Sequence, residues 1–256
     1  MAELQVERIP ALSDNYMFLL FDPVSGTSGI VDPADAGPVI EALERHDRSL
    51  DWILNTHHHA DHTAGNGDLM QRYGARLAGP AGDHSRIAGM DILLREGEAF
   101  TFGSHKVDIL ETPGHTSGHV SLHFADAGML FSGDTLFALG CGRLFEGSPA
   151  QMWESLSKYA AMPDETIVWC GHEYTLANAR FALTVDPDNP ALRERAREIE
   201  ALRSRNEPTV PTTLGLERRT NPFLRPDDPS IRRTLGLERA DDIEVFAEIR
   251  RRKDSF

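Results

Sequence analysis

The pattern of hydrophobic and polar positions divides the chain into two parts of different character. Up to about residue 173, short apolar runs alternate with Gly, Pro and Asp, and such runs predict β-strands. The predicted strands are residues 4–9, 16–21, 29–31, 52–55, 106–111, 120–124, 129–132 and 166–169. Helical spacing of apolar residues at 38–46 and 68–73 predicts two short helices. The first part is therefore expected to be mixed α/β, with helices covering sheets.

From about residue 174 the chain is rich in charged residues and helix formers. Asn189 and Pro190 predict the start of a helix, because Asn is a good N-cap and Pro fits the first turn. Two more helices are predicted at 228–236 and 241–252. The inward positions are expected to be Leu192, Ala196, Ile199 and Leu202 in the first helix, and Ile243, Phe246 and Ile249 in the last. These patterns predict two domains, 1–173 and a small helical domain at 174–256.

One hexapeptide, Thr-Leu-Gly-Leu-Glu-Arg, occurs twice, at 213–218 and 234–239. Two copies are too few for a solenoid, which needs at least about three stacked units. We predict that both copies are helix ends closed by Gly215 and Gly236, since Gly adopts the left-handed conformation that ends many helices.

Composition and charge narrow the possible partners. The chain has 256 residues and a formal net charge of -14, which disfavours general binding to nucleic acid or to a membrane surface. The start of the chain is not basic, and its apolar run at 17–21 is too short for a signal segment or a membrane span. We therefore expect a cytoplasmic protein, and a monomer. The two cysteines, Cys141 and Cys170, are expected to be packing residues, although a metal-ligand role for Cys170 stays open.

Candidate metal ligands are concentrated in residues 56–62, which read Thr-His-His-His-Ala-Asp-His. Zinc and iron bind His nitrogen and carboxylate oxygen, so this short loop offers several donors in a small volume. Three later candidates also follow predicted strands: His115, Asp134 and His172. Loops at strand ends are held in fixed positions by a sheet, and we expect the four loops to converge on one site.

These donors are sufficient for two metal ions. We expect His57, His59 and His115 to bind the first ion, Asp61, His62 and His172 to bind the second, and Asp134 to bridge them. A structural zinc site would need only four ligands and prefers thiolates, so a catalytic centre that hydrolyses its substrate is favoured. His58 is expected to point away from the metals. Asp32 and His119 could orient ligand imidazoles, or could be ordinary buried polar residues.

The motifs 56–62, 112–119, 132–135 and 171–174 together resemble those of the metallo-β-lactamase superfamily. That resemblance implies an αββα sandwich with a two-metal site. Residues 13–16, 141–147, 221–225 and 250–254 extend the resemblance over the whole chain to the glyoxalase II, or hydroxyacylglutathione hydrolase, family. The fold expected is thus an αββα sandwich followed by a small helical domain that completes a glutathione site.

The resemblance also implies an activity and a set of residues. The activity would be hydrolysis of the thioester of S-lactoylglutathione to glutathione and D-lactate, in methylglyoxal detoxification. A metal-bridging hydroxide steadied by Asp61 would attack, with zinc the expected metal and iron or manganese possible. The residues implied to hold glutathione are Arg143, Tyr174, Arg250 and Lys253. Relatives commonly have Lys and Tyr where this chain has Arg143 and Phe145.

Three other functions are compatible with parts of this pattern. One is a glutathione persulfide dioxygenase with a single iron bound by two His and one Asp. Another is a hydrolase of a different substrate, such as a lactone, a lactam or a phosphodiester, for which the basic cluster at 250–253 has no evident use. The third is a metal-dependent binding module without catalysis, which open coordination positions disfavour.

Overall fold

The structure is a computed structural model, and it describes residues 3–256. The chain divides into two compact units. The first comprises the described residues up to Glu111 together with Thr116–Gly133, and the second comprises Thr112–His115 and Asp134–Phe256. This division follows spatial contacts, whereas the domain boundary at 173/174 was inferred from sequence character and stays a prediction.

The first unit contains two sheets. Its strands are β1 Gln5–Ala11, β2 Asn15–Phe21, β3 Ser28–Val31, β4 Trp52–Leu54, β5 Arg76–Pro80, β6 Ile92–Leu94, β7 Phe100–Phe102, β8 His105–Glu111, β9 Val120–Phe124 and β10 Met129–Gly133. Strands β1 to β6 form one sheet in chain order, antiparallel from β1 to β3 and parallel from β3 to β6. Strands β7 to β10 pair antiparallel in the other.

Aromatic side chains pack the two sheets of this unit together. The ring of Phe18 on β2 lies 5.7 Å from that of Phe131 on β10, and Phe131 in turn lies 5.6 Å from Phe124 on β9. All three are almost fully buried. Because Phe has a large apolar surface, this layer contributes strongly to the hydrophobic stabilisation of the unit.

Helices cover the other face of the first sheet. They are α1 Ala36–Arg45, α2 Ala60–Thr63 and α3 Asn66–Tyr73. Val39 and Leu43 of α1 and Leu69 of α3 are fully buried in a cluster with Ile30 and Ile53 of the sheet. This burial explains why the segments predicted as helices from their apolar spacing are helical.

The second unit is mostly helical. Its elements are β11 Leu136–Phe137, β12 Gly140–Cys141, α4 Pro149–Ser157, β13 Ile167–Cys170, α5 Thr175–Val185, α6 Pro190–Ser204, β14 Thr212–Thr213, α7 Leu214–Thr220, α8 Pro229–Leu235 and α9 Asp242–Asp254. Strands β11 and β12 form a two-stranded hairpin, and β13 pairs with β14. The Asn189 side chain caps α6 by accepting a hydrogen bond from the backbone N–H of Leu192. The predicted start of this helix is confirmed.

All predicted strands and helices are present with ends within about two residues, but two details of the prediction are wrong. Gly236 closes α8 in the left-handed conformation as predicted, whereas Gly215 lies in the first turn of α7. The first hexapeptide copy begins a helix because the Thr213 side chain caps it. On α9, Ile243 is 41% exposed, and Val245 occupies the buried position instead.

Candidate metal centre

The first ligand group, defined as His57, His59, Asp61 and His62, lies on the loop after β4 and on α2. The Nε2 atom of His57 is 3.1 Å from Nδ1 of His59, and Nε2 of His62 is 3.5 Å from a carboxylate oxygen of Asp61. Ligands about 2.0–2.2 Å from one tetrahedral ion are separated by roughly 3.3–3.6 Å. The 3.5 Å separation of His62 and Asp61 lies in this range, and the 3.1 Å separation of His57 and His59 lies just below it.

Asp32 and Thr56 set the orientation of two imidazoles in this group. The Thr56 hydroxyl donates to Asp32 over 2.7 Å, so at 3.0 Å from Nδ1 of His57 it acts as the acceptor. Asp32 also lies 3.2 Å from Nδ1 of His62. Both contacts fix the tautomer that leaves a lone pair on Nε2, the nitrogen nearest the other ligands. These are the contacts expected if Asp32 orients ligand imidazoles, and that role stays a prediction.

Asn15 fixes the remaining side chain of the first group. Its amide nitrogen donates to the Asp61 carboxylate over 3.1 Å and to the Asp61 carbonyl over 3.0 Å. Sequence reasoning assigned Asn15 no role. The signal that could have revealed it was its place in the motif 13–16, which we used only for the family resemblance.

The second ligand group, defined as His115, Asp134 and His172, lies in the second unit. One carboxylate oxygen of Asp134 is 3.4 Å from Nε2 of His115 and 3.4 Å from Nε2 of His172. All three side chains are nearly fully buried. A single oxygen at equal distance from two imidazoles fits the bridging role expected for Asp134.

The environment of His115 fits a bound cation. Its Nδ1 donates to the backbone carbonyl of Arg143 over 2.9 Å, so Nε2 carries a lone pair. At 3.4 Å from Nε2, the Asp134 carboxylate presents a second acceptor, and two buried acceptors repel each other unless a metal ion or a proton lies between them. Nitrogen and carboxylate donors of this kind suit a divalent metal ion.

The other histidines near the loop contribute differently. His58 turns toward Asp83, with Nδ1 3.2 Å from its carboxylate, as expected for a residue that points away from the ligands. His119 is buried, and its ring stacks on that of His57 with centroids 5.0 Å apart.

Gly133, at the end of β10, has φ +49, and a Cβ there would lie 2.5 Å from the Thr56 hydroxyl. Only glycine permits this close approach.

Two of the proposed glutathione residues pair with Asp254, and a third, Lys253, precedes it in the chain. Arg250 is buried, and it donates to Asp254 over 2.7 Å and to the carbonyl of Cys141 over 2.9 Å. Arg143 is 64% exposed and lies 3.9 Å from Asp254. Lys253 donates to the backbone carbonyl of Ala177 over 3.2 Å. The cation cluster, as we call Arg143, Arg250 and Lys253, therefore lies within one region of the second unit.

Lys253 titrates near the physiological range. Partial burial, followed by the nearby guanidinium groups of Arg250 and Arg143, lowers the pKa of Lys253 to about 8, although Asp254 opposes this shift. An anionic ligand at this position would favour the charged ammonium form.

Tyr174, the fourth proposed glutathione residue, stacks on a metal ligand. Its ring is nearly parallel to that of His172, with centroids 4.7 Å apart, and it is 39% exposed. Phe145 is 63% exposed and its ring lies 5.2 Å from that of His115. Both imidazoles of the second ligand group are thus bordered by an accessible aromatic ring.

Both cysteines are free thiols in buried positions. Burial raises the pKa of Cys141 to about 11 and that of Cys170 to about 12. Both side chains are therefore neutral at neutral pH when no metal ion is bound. The interpretation of both as packing residues fits this environment.

Comparisons with known proteins define the class first. The family model described as "Metallo-beta-lactamase superfamily" matches residues 18–172, and the model "Hydroxyacylglutathione hydrolase C-terminus" matches residues 173–256. A solved structure described as "BLEG-1 B3 metallo-beta-lactamase" is 26% identical, with a TM-score of 0.64, and the alignment covers 86% of this chain and 100% of that one. The chain is thus a metallo-β-lactamase-superfamily protein with a helical C-terminal region, and the predicted fold class is confirmed.

Two curated relatives then identify the family. A hydroxyacylglutathione hydrolase of Methylococcus capsulatus is 56% identical over 253 residues, covering 99% of each chain. One of Rhizobium meliloti is 54% identical over 256 residues, covering 100% of each. The chain belongs to the hydroxyacylglutathione hydrolase family, as the sequence motifs predicted. These relatives do not favour the dioxygenase alternative.

Helix length and polarity bear on membrane insertion. Over the residues that the structure describes, every helix is too short or too polar to cross a lipid bilayer.

Proposed function

We propose that this protein hydrolyses the thioester of S-(2-hydroxyacyl)glutathione, with S-lactoylglutathione giving glutathione and D-lactate in methylglyoxal detoxification. The observation that carries the proposal is the short segment 134–143, which bears Asp134 of the second ligand group and Arg143 of the cation cluster. A thioester of glutathione has its reactive carbonyl and its anionic carboxylates in one molecule. The segment supplies Asp134 to the metal centre that would act on the carbonyl. It also supplies Arg143 to pair with a carboxylate.

The two ligand groups would together hold two divalent metal ions. His57, His59 and His115 would bind one, Asp61, His62 and His172 the other, and Asp134 both. Zinc is the metal we expect, and iron or manganese would suit the same donors. Divalent ions held there supply Lewis-acid polarisation of a carbonyl oxygen and activation of water near neutral pH.

The reaction adds water across the acyl carbon–sulfur bond. A carbon–oxygen bond forms, the carbon–sulfur bond breaks, and the electron pair leaves with the glutathione thiolate. One proton of the water ends on that thiolate, and the other is released to solvent as the 2-hydroxy acid ionises. Asp61, fixed by Asn15, would accept a hydrogen bond from the attacking water and hold it in line with the carbonyl. Because a thiolate is a good leaving group, no strong acid is needed to protonate it.

Recognition of glutathione would depend on charge and stacking. The Arg143 guanidinium and the Lys253 ammonium would pair with glutathione carboxylates, while Arg250 would supply positive charge from its buried position. Tyr174 would cover the peptide part of the ligand beside His172. A local cationic cluster is required because the chain as a whole carries a net charge of -14.

The same net charge supports two further parts of the proposal. Nucleic acid and anionic membrane surfaces would be repelled, so neither is proposed as a partner. We propose a cytoplasmic monomer.

Hydrolysis of S-D-lactoylglutathione, followed as loss of thioester absorbance on purified metal-loaded protein, tests the proposal. The matched control substrate is lactoyl-coenzyme A, which has the same acyl group and a different thiol. We expect kcat/KM at least about tenfold higher for the glutathione thioester, because the carboxylates of glutathione lie much closer to the thioester than the phosphates of coenzyme A do. Equal rates would contradict glutathione recognition. Oxygen uptake with glutathione persulfide and no thioester hydrolysis would contradict the hydrolase function itself.

A further inference from the structure

We propose that Asn178, Glu217 and Asn221 are positioning residues that hold the hairpin 136–141, and through it the metal ligand Asp134. The inference rests on the proposed metal centre. It gives a role to Asn221, which the sequence linked only to the family resemblance, and to Glu217, which lies in the first hexapeptide copy.

The hairpin needs support from outside itself. Strands β11 and β12 pair through only two residue pairs, Leu136 with Cys141 and Phe137 with Gly140. Leu139, in the turn, has φ +57, a left-handed conformation that is costly for a branched side chain. Every residue from 136 to 141 is buried, so water cannot satisfy the polar backbone groups of the turn.

The three helical-region side chains bind those backbone groups instead. Glu217 accepts a hydrogen bond from the backbone N–H of Leu139 over 2.8 Å. The Asn178 amide donates to the carbonyl of Ala138 over 3.0 Å. Both polar groups at the centre of the turn therefore have a side-chain partner.

Asn221 binds on both sides of the turn. Its amide nitrogen donates to the carbonyls of Phe137 over 3.2 Å and Gly140 over 3.0 Å, and to Glu217 over 3.1 Å. One amide thus joins the two strands of the hairpin to the carboxylate that binds the turn. Gly140 is required here, because a Cβ would lie 2.5 Å from the Asn178 amide nitrogen.

A buried ion pair keeps Glu217 in place. The Arg195 guanidinium forms a salt bridge with Glu217 and donates to the hydroxyls of Thr220 over 2.6 Å and Thr212 over 3.0 Å. Both charged side chains are almost fully buried. These three contacts of the guanidinium hold it in one orientation, so the Glu217 carboxylate is kept facing the turn.

The hairpin in turn adjoins the second ligand group. Asp134 precedes it by two residues, and the N–H of Gly142, just after it, donates to the carbonyl of Thr135 over 3.2 Å. The ring of Phe137 lies 5.9 Å from that of His172 in an edge-to-face contact. A shift of the hairpin would therefore move the bridging carboxylate and disturb the packing of His172.

The test compares Asn221→Ala with Asn189→Ala as a matched control. Like Asn221, Asn189 is an asparagine of the second unit, and it caps helix α6. Its amide donates to the backbone carbonyl of Arg219 over 2.9 Å and not to the hairpin. The first readout is metal loss to a chromogenic chelator. We expect Asn221→Ala to weaken binding of metal by about 10–100-fold, as found when groups that orient metal ligands are removed. Asn189→Ala should leave it within about twofold.

The second readout is hydrogen exchange of the backbone amides at 136–142, measured by mass spectrometry. We expect these amides to exchange about tenfold faster or more in Asn221→Ala, because two carbonyl contacts that hold the hairpin are lost. In Asn189→Ala they should stay as slow as in the wild type. Equal metal affinity and equal exchange in the two variants would overturn the positioning role.

Asn178→Ser provides a milder variant if Asn221→Ala does not fold. It removes the single bond to the Ala138 carbonyl, and we expect the same changes in exchange and metal affinity at a smaller amplitude. Unchanged exchange at 136–142 in this variant would also contradict the proposal. Neither readout uses a thioester, so an absence of hydrolysis in the wild type would refute the proposed function without deciding this inference.

Discussion

The two ligand groups are positioned in different ways. The first lies within residues 57–62 and is oriented by groups on neighbouring strands and loops of the same unit, chiefly Asp32 and Thr56. The second draws His115, Asp134 and His172 from distant segments, and helical side chains support the hairpin next to Asp134. The first group is thus determined largely by local sequence, whereas the second depends on the folding of the C-terminal helices. A substitution that removes the support of one ligand group should therefore leave the support of the other in place.

The largest effect is expected from Asp134→Ala. This variant removes a carboxylate that lies 3.4 Å from two imidazoles, so we expect loss of metal and a fall in kcat/KM of about 10³-fold or more. Metal analysis and thioester hydrolysis on the same preparation measure both. Asp188→Ala is the control, because that side chain is 83% exposed and pairs with Arg193, which is itself exposed. Full activity in Asp134→Ala would show that Asp134 does not bridge.

A smaller and more selective effect is expected from Asp32→Ala. Loss of the group that orients His57, through Thr56, and His62 should weaken metal binding by about 10–100-fold. The second ligand group has its own support, and the hairpin at 136–141 should keep wild-type hydrogen exchange. Chelator competition and exchange measurements on one sample check this. Faster exchange at the hairpin would mean that the two groups do not have independent supports.

Lys253→Met should affect substrate binding and leave the metals in place. Loss of a charged hydrogen bond is worth about 1.5–3 kcal/mol, so we expect KM for the glutathione thioester to rise at least about tenfold with little change in kcat. Full metal content is the control for an intact centre. A fall in kcat with constant KM would contradict a binding role.

The pH dependence of KM tests the same residue in the wild type. With its pKa lowered to about 8, Lys253 is a cation below that pH and becomes neutral above it. An anionic substrate should therefore bind less tightly, and KM should rise, as the pH increases through this range. In Lys253→Met the rise should disappear. A KM that is independent of pH in the wild type would exclude Lys253 as a titrating contact.

The smallest effect is expected from Phe145→Tyr. Phe145 is 63% exposed beside His115, so an added hydroxyl can reach a ligand without entering the core. One hydrogen bond to glutathione would lower KM by about two- to tenfold, from roughly 0.5–1.5 kcal/mol. The variant Phe145→Leu, which has no hydroxyl, is the control. An unchanged KM in Phe145→Tyr would place glutathione away from this ring.

The first ligand group could be predicted from the sequence more fully than the supports of the second. The donors at 57–62 stand together in the chain, and strand β4 before them has a clear apolar pattern, so both could be predicted. Strand β5 was missed because its Gly-Pro end is typical of a turn. Helix α5 was missed because apolar residues occupy several of its sides, which obscures helical periodicity.

The local sequence did not indicate which residues support the second ligand group. Glu217 and Asn178 occur in helices, where polar residues are normally exposed. Both are buried because their partners, Leu139 and Ala138, are distant in sequence and present backbone groups that need hydrogen bonds. Only the three-dimensional structure shows that pairing.

The most direct test of the proposed two-metal centre is a zinc titration of metal-free protein. Activity on S-D-lactoylglutathione and bound zinc would be measured at each addition. We predict that activity rises until about two equivalents of zinc are bound, because three of the proposed ligands would bind one ion, three would bind the other, and Asp134 would bind both. Full activity at one equivalent, with no change on adding the second, would contradict the claim.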